Sequence, residues 1–282
     1  MVERRPISTL LAHAVLIGGV LLMAFPIWIT FVAATHDATR MGQVPLPLWP
    51  GDQFWINLRA TLFQGHKGTS GAPVSTMLLN SLVMALMIAV GKIAISLLSA
   101  FAIVYFRFPM RMAFFWLIFI TLMLPVEVRI LPTFEIVANL GMLNSYWGLT
   151  VPLIASATAT FMFRQVFLTI PDELLEAARI DGAGPLRFFW DILLPMSRTN
   201  IAALFVILFI YGWNQYLWPL LMTTERDMTT VVMGIKQLLE VSEQAPQWHL
   251  TMMTALLAML PPILVVVGMQ KLFVQGLTES DK

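Results

Sequence analysis

The chain has 282 residues, of which 58% are hydrophobic and only 12% are charged, and its formal net charge is +1. An average soluble domain carries about 25% charged residues, and a compact domain can bury only a limited share of its apolar surface. The composition therefore excludes a soluble globular domain, a disordered chain and a nucleic-acid-binding module, which needs a basic excess.

Six apolar runs in the sequence are long enough to cross a bilayer, which takes about 20 residues of α-helix. In chain order they cover residues 10–34, 77–106, 112–131, 145–167, 201–222 and 250–273. Pro152 interrupts the fourth run, and Pro261 and Pro262 lie in the sixth. Prolines are tolerated in spans because neighbouring groups can satisfy the freed carbonyls. We therefore predict an all-α polytopic membrane protein with six transmembrane helices.

The first run and the loop charges predict the orientation. Arg4 and Arg5 precede the first run, as in a signal peptide, but the run is longer than the apolar region of about 7–15 residues that signal peptides have. We therefore expect an uncleaved anchor. With the N-terminus in the cytoplasm, the inner segments hold twice as many Lys and Arg residues as the outer loops. The positive-inside rule then predicts that both termini are cytoplasmic.

These assignments divide the chain into three parts. Residues 1–75 hold the first transmembrane helix and an outer loop, residues 76–273 form the transmembrane core, and residues 274–282 form a short cytoplasmic tail. The outer loop, at about 36–75, is rich in Pro, Gly and Trp. It lies at the bilayer interface, where Trp is enriched, or it acts as a docking or gating element. The last outer loop, at 223–249, is amphipathic and predicts a short helix.

The cytoplasmic segment at about 169–198 predicts two helices joined by a sharp turn outside the bilayer. Pro171 suits a first helical position, and the two acidic residues after it suit the positive end of a helix dipole. Gly182 and Gly184 can end this helix in a left-handed turn. Pro185 can then begin a second helix that ends near the next proline, ten residues later.

An aromatic cluster lies in the second of these helices, at Phe188, Phe189 and Trp190. Large apolar side chains that are exposed in a cytoplasmic loop usually mark an interface with another protein. The same side chains can instead pack back on the helices of their own chain. The sequence leaves both interpretations open.

Seven residues of the cytoplasmic segment fall at the spacing of a known signature: Glu176, Ala177, Ala178, Gly182, Ile192, Leu194 and Pro195. This pattern resembles the EAA signature of permease subunits in binding-protein-dependent ABC importers. Further runs resemble the carbohydrate-type branch of that family: 141–149, 213–219, Asn80-Ser81, Pro125 and Pro132. The narrower resemblance is to importers of sn-glycerol-3-phosphate, which implies that solute as the substrate.

The resemblance implies an assembly in a bacterial inner membrane. This chain would pair with a second permease subunit, so that each forms half of the pathway. Two ATPase subunits would bind ATP and Mg²⁺, and a periplasmic binding protein would deliver the solute. The chain itself would bind no cofactor or metal and would have no catalytic residue.

The resemblance also implies roles in the segment at about 169–198, which would be the coupling helix seated in a cleft of an ATPase subunit. Glu176 would pair with a basic group of the ATPase, Ala177 and Ala178 would permit close approach, and Gly182 would make the turn. Asp181 lies on the same helical face as the two alanines. It belongs to the expected contact set.

The sequence provides no support for an enzyme. A phosphate-binding loop needs Gly, four residues and then Gly-Lys, but the only Gly-Lys pair is Gly91-Lys92, and Leu86 takes the place of the first glycine. The four histidines show no metal-ligand spacing: His13, His36, His66 and His249.

Polar residues inside spans are costly in a bilayer and are therefore candidates for function. The candidates for the substrate pathway are Lys92, Glu127, Arg129, Asn214 and Gln215. Glu127 and Arg129 form an interfacial pair or line the path, where the planar guanidinium suits a phosphate. Asn214 and Gln215 line the path or form interhelical hydrogen bonds.

Two rival functions remain at this stage. A secondary transporter or channel that works without ATP would fit the six spans, but such transporters often contain inverted repeats, and the hydropathy shows none. A membrane-embedded enzyme would need catalytic His or carboxylate groups that converge at one site. Only the importer gives the cytoplasmic segment a role.

Overall fold

The computed structural model describes residues 6–65, 72–121, 126–239 and 247–278. Within these ranges nearly all regular structure is α-helix, and no β-strand occurs. The all-α prediction is thereby confirmed for the described part of the chain.

The helices differ widely in length, from single turns to about nine turns. The α-helices in chain order are α1 (Pro6–Ala34), α2 (Ala38–Met41), α3 (Phe54–Phe63), α4 (Val74–Tyr105), α5 (Arg111–Ile120), α6 (Val126–Asn139), α7 (Tyr146–Thr150), α8 (Ala157–Leu168), α9 (Asp172–Ile180), α10 (Pro185–Phe188), α11 (Leu194–Met196), α12 (Arg198–Trp213), α13 (Leu217–Met222), α14 (Val231–Leu239) and α15 (Trp248–Thr278). Short 3₁₀-helices occur at Val151–Leu153 and Arg226–Met228, and a π-helical turn occurs at Phe189–Leu193.

Three helices of the described residues are long and apolar enough to cross a bilayer alone, and they belong to α1, α4 and α15. Two bent helix pairs could each form one further span, which gives up to five. The predicted third run coincides with α5 and the start of α6, and residues 122–125 between them, with Pro125, lie outside the described residues. The count of six spans therefore stays a prediction.

Two of the predicted apolar runs are interrupted within the described residues, and only one of these two breaks lies at a proline. The predicted interruption at Pro152 is confirmed, since the chain there forms a 3₁₀-turn and α7 and α8 meet at 50°. The predicted fifth run is also interrupted, because α12 ends at Trp213 and α13 begins at Leu217. By contrast, Pro261 and Pro262 lie inside the continuous helix α15.

The described residues form two compact units. The first contains the residues up to Ser75 and those from Gly234 to Leu260. In this unit the loop after α1 is tied to the end of that helix, because the buried Asn57 amide donates to the carbonyls of Ala34 and His36 at 2.8 Å each. These bonds close the loop on its own helix, and Trp49 and Trp55 remain exposed.

The second unit contains residues from Thr76 to Met233 and from Pro261 onward. One of its buried apolar clusters consists of Met84, Ile88, Ile130, Val137, Leu149, Trp218 and Met222. This cluster joins α4, α6, α7 and α13. It therefore packs α6, α7 and α13 against the long helix α4.

The pair Asn80-Ser81, which resembles the importer family in the sequence, forms structural hydrogen bonds in the second unit. Asn80 donates to the carbonyls of Asp227 and Thr229 at 2.7 and 3.0 Å, and its side-chain oxygen accepts from the Tyr146 hydroxyl at 2.6 Å. The neighbouring Ser81 hydroxyl accepts the N–H of Val231 at 2.9 Å, at the start of α14. The short helix predicted in the last outer loop is confirmed as α14, and the pair at 80–81 fastens its beginning to α4.

A second structural hydrogen bond involves the runs at 141–149 and 213–219. The Trp218 indole donates to the carbonyl of Gly148 at 3.2 Å. A Cβ atom at Gly148 would overlap the carbonyl oxygen of Met142, so the close approach requires glycine. These runs therefore hold α7 and α13 together, which is a structural role.

Candidate functional site

The segment at about 169–198 forms two helices and a turn, as predicted. The prediction that Pro171 takes the first helical position is wrong by one residue, because Pro171 has a ψ of 136° and α9 begins at Asp172. Asp172 and Glu173 lie in the first turn, as predicted. Gly182 has a φ of +72°, which confirms the left-handed turn at that residue. The same prediction is wrong for Gly184, which has an extended backbone with φ −73° and ψ 169° and leads into α10 at its N-terminus.

The signature residues differ in their exposure. Glu176, Ala177, Asp181, Gly182 and Pro195 are exposed, while Ile192 and Leu194 are half-buried. Ala178 is only 4% exposed, so its methyl group faces the interior of its own chain. The exposed members are available to a partner. The small size of Ala178 instead lets α9 lie close to the helices beneath it.

An aromatic joint connects the segment at about 169–198 to helices α4 and α8. We use this term for Phe101, Tyr105, Phe167, Phe188 and Phe189. The Phe101 and Phe189 ring centroids are 5.0 Å apart, and those of Tyr105 and Phe188 are 5.2 Å apart. The Tyr105 hydroxyl donates to the carbonyl of Phe167 at 3.2 Å. The joint therefore links the segment to α8 and to the end of α4.

The aromatic joint resolves the alternatives left open by the sequence. Phe188 and Phe189 are 2% and 5% exposed and pack back on their own bundle, whereas Trp190 is 62% exposed. Only the third aromatic residue is therefore free to meet a partner or lipid. The cause is the helical geometry, which separates consecutive side chains by about 100° around the axis.

We expect Phe188→Ala to lower the thermal stability of the protein, because it removes a buried ring from the aromatic joint. Truncation of a buried Phe to Ala costs about 3–5 kcal/mol. Trp190→Ala is the matched control, since truncation of an exposed side chain changes stability by only about 0.5 kcal/mol. The measurement is the midpoint of heat inactivation of the purified complex, and equal midpoints for the two variants would contradict the packing role of Phe188.

A charged groove of about 610 Å³ lies beside α9. Its charged lining residues are Arg107, Arg111, Asp172, Glu176 and Arg179. Glu176 is thus at the edge of a groove that carries both signs of charge, in a segment with exposed apolar side chains at Ile180 and Leu186. This surface can accept a protein partner through one acidic anchor and an apolar rim.

A second cavity, of about 600 Å³, brings two of the predicted pathway residues together, and we call it the cation cavity. Lys92 is near the middle of α4 and is only 7% exposed, and its Nζ lies 3.8 Å from the centroid of the Tyr211 ring. Arg129, from α6, lines the same cavity and is exposed in the isolated chain. Five hydroxyl-bearing residues complete the polar lining: Ser99, Thr121, Ser156, Thr158 and Thr160.

The break in the fourth predicted run opens onto the cation cavity. Ser156 caps α8, where its hydroxyl accepts the N–H of Ala159 at 3.2 Å, and Ala157 and Thr158 are the first helical residues. All three of Ser156, Ala157 and Thr158 line the cavity. Sequence reasoning missed this N-terminus, although a serine shortly after Pro152 is the usual signal for a new helix.

Of the other predicted pathway residues, Asn214 and Gln215 do not line the cation cavity. The side chain of Glu127 lies outside the described residues, so its pairing with Arg129 stays a prediction. Asn214 is exposed, and the Gln215 amide donates to the carbonyl of Tyr211 at 3.1 Å. Gln215 thus caps the end of α12 in this chain. Among the described residues, no group of three or more His, Asp or Glu side chains is placed to hold a metal ion.

Comparison with known proteins gives consistent results. A family of "binding-protein-dependent transport system inner membrane component" proteins matches residues 92–279. The chain is 58% identical to the sn-glycerol-3-phosphate transport system permease protein UgpE of Brucella melitensis, and it is 57% identical to the protein of that name from Yersinia enterocolitica; each match covers the whole of both chains.

Solved structures of bacterial transporters share the fold. One is the crystal structure of a bacterial ABC transporter involved in the import of the acidic polysaccharide alginate. A chain of that structure matches with a TM-score of 0.81 at 20% sequence identity, over 96% of this chain and 98% of the other. A second structure, of the alginate transporter with its periplasmic protein, matches with a TM-score of 0.60 at 13% identity, over 95% of each chain.

Proposed function

Because the chain belongs to the family of inner membrane components of binding-protein-dependent transport systems, we propose that it forms half of the translocation pathway for sn-glycerol-3-phosphate. The full-length identity to permeases named for that solute is the observation that carries the proposal. The family role is transport. The chain is a helical protein of the inner membrane with several long apolar helices.

The partners follow from the family. A second permease subunit completes the pathway, two ATPase subunits supply ATP hydrolysis with Mg²⁺, and a periplasmic binding protein delivers the solute. One of the structures that share the fold contains a periplasmic protein with its ligand bound. Both termini and the segment at about 169–198 lie in the cytoplasm, in agreement with the charge distribution.

The coupling contact is assigned to the exposed residues of that segment. Glu176 and Ala177 on α9, and Asp181 directly after it, are exposed, and there they meet an ATPase subunit. The angle between α9 and the following helix is set by the turn at Gly182 and by three residues further along the segment, the half-buried Ile192 and Leu194 and the exposed Pro195. Movement of the ATPase pair then reaches α4 and α8 through the aromatic joint.

Membership of this family does not favour the rival transporter that works without ATP. In such a protein, an exposed acidic helix such as α9 at the cytoplasmic ends of the transmembrane helices would have no partner to contact. The family also gives no reason to expect a catalytic site in this chain.

The proposal predicts that this chain, purified gently from native membranes, brings a second permease and an ATPase with it. In proteoliposomes the complex should accumulate radiolabelled sn-glycerol-3-phosphate only when ATP and the binding protein are present. An ATPase variant unable to hydrolyse ATP is the control. Uptake by this chain alone without ATP would contradict the proposal and support the rival transporter.

A further inference from the structure

We propose that the cation cavity binds the phosphoryl group of the solute during its passage, so that this chain itself contains a recognition site for a phosphorylated polyol. The inference rests on the proposed function and deepens it. It assigns one binding role to three features that line this cavity: a lysine buried in a long apolar helix, an arginine, and the N-terminus of a helix.

The charges of the cavity provide the first argument. Lys92 and Arg129 line it, and its described lining includes no carboxylate. Neither cation forms an ion pair with a described residue. Two like charges in a site of low dielectric constant are unfavourable unless an anion compensates them. A phosphate monoester carries about −1.5 to −2 charges near pH 7, which matches two cations.

The backbone provides the second argument. Helix α8 has 12 residues and begins at the cavity with Ala157 and Thr158. The first N–H groups of a helix have no acceptor within the helix, and they lie at the positive end of its dipole. Anions bind at such ends because both effects favour negative charge. The N-terminus therefore adds donors beside the two cations, at the break that Pro152 creates in the apolar run.

The geometry of the side chains provides the third argument. The Tyr211 ring holds the Lys92 ammonium at 3.8 Å, in a cation–π contact that fixes its position before any ligand arrives. The Arg129 guanidinium is planar and can donate two parallel hydrogen bonds to a phosphate. The hydroxyls of Ser99 and Thr158 have no hydrogen-bond partner among the described residues, so they can bind the hydroxyls of a polyol.

Exposure indicates how a solute reaches the site. Arg129 and Thr158 are exposed in the isolated chain, whereas Lys92 is buried at the inner wall of the cavity. A solute that entered from the exposed side would therefore meet Arg129 before Lys92. This order suits a pathway in which the second permease closes the open side.

Heat-inactivation midpoints of the purified membrane complex, without the binding protein, test the site directly. We expect sn-glycerol-3-phosphate to raise the midpoint in a saturable manner and glycerol to have no such effect. Lys92→Met and Arg129→Gln should each raise the concentration of sn-glycerol-3-phosphate that gives half-maximal protection about tenfold. This change is equivalent to a loss of about 1.4 kcal/mol in the free energy of binding. Lys92→Met keeps the length of the side chain and removes a buried charge, so the fold should tolerate it.

Conservative and remote variants serve as controls. Lys92→Arg and Arg129→Lys keep the charges and should retain most of the protection. Lys271→Gln removes an exposed cation outside the cavity and should behave as wild type.

The outcomes separate the two proposals. If wild-type proteoliposomes import sn-glycerol-3-phosphate but the double variant Lys92→Met, Arg129→Gln is protected as well as wild type, the cavity is not the recognition site and the proposed function stands. If the wild-type complex imports sn-glycerol-3-phosphate but is not protected by it in a saturable manner, the cavity is likewise not the recognition site and the proposed function stands. If the wild-type complex imports no sn-glycerol-3-phosphate, the proposed function itself fails.

Discussion

Glu176→Lys should abolish solute uptake and leave the assembled membrane protein intact. Glu176 is exposed on α9, at the edge of the groove that also holds Arg107, Arg111 and Arg179. Reversal of its charge would repel a basic group of the ATPase and add a fourth cation to the groove. Loss of one member of a close interfacial charge pair costs about 2–5 kcal/mol, so uptake should fall to less than about a tenth.

The matched control is Glu173→Lys, which makes the same charge change one turn earlier on the same helix. Glu173 is exposed and does not line the groove, and isolated surface charges contribute little to stability. Radiolabelled uptake and ATP hydrolysis stimulated by the binding protein should be measured on both variants, after their expression levels are matched. Normal uptake by the Glu176→Lys variant would remove its assigned role, and equal losses in both variants would indicate a general charge effect.

Local sequence signals predicted much of the fold. Apolar runs marked the positions of the long helices α1, α4 and α15, since a spanning helix needs a continuous apolar stretch. Pro152 and Gly182 marked a break and a turn, because each restricts or relaxes the backbone at its own position. Gly184 was predicted wrongly: a second left-handed residue was not needed once Gly182 had reversed the chain.

Contacts between distant residues could not be predicted from the sequence. Asn80 donates to the carbonyls of residues 227 and 229. These hydrogen bonds depend on how α4 packs against the residues that precede α14. Similarly, the sequence could not show that Ala178, Phe188 and Phe189 face inward, since this depends on the helices beneath them. Amphipathic spacing gives the faces of a helix but does not identify what covers each face.

The candidate site shows the same limit. Lys92 and Arg129 were each singled out because ionisable residues in spans are costly, but nothing local indicates that α4 and α6 bring them to one cavity. Tyr211 and the N-terminus of α8 were missed for the same reason. Their contribution depends on a cation that lies elsewhere in the sequence.

Gly212→Leu should prevent the second unit from folding, because α12 approaches α4 too closely at this point for any larger residue. A Cβ atom at Gly212 would lie 2.9 Å from the Cα and 3.4 Å from the carbonyl oxygen of Ala85, which is fully buried. The obstacle is backbone, so no side-chain rotation can relieve the overlap. Membrane helices often use small residues to allow such close approach.

Two substitutions of different size at Gly212 test this prediction. Helix propensity alone favours Gly212→Ala by about 1 kcal/mol, whereas overpacking of a core costs about 1–3 kcal/mol and sometimes more. We therefore expect Gly212→Ala to lower the heat-inactivation midpoint of the protein. Gly212→Leu should yield no monodisperse protein on gel filtration. Gly268→Leu, on α15, is the control, because no atom lies within 4 Å of its added Cβ. A higher midpoint for Gly212→Ala would mean that propensity prevails and that the helices can move apart.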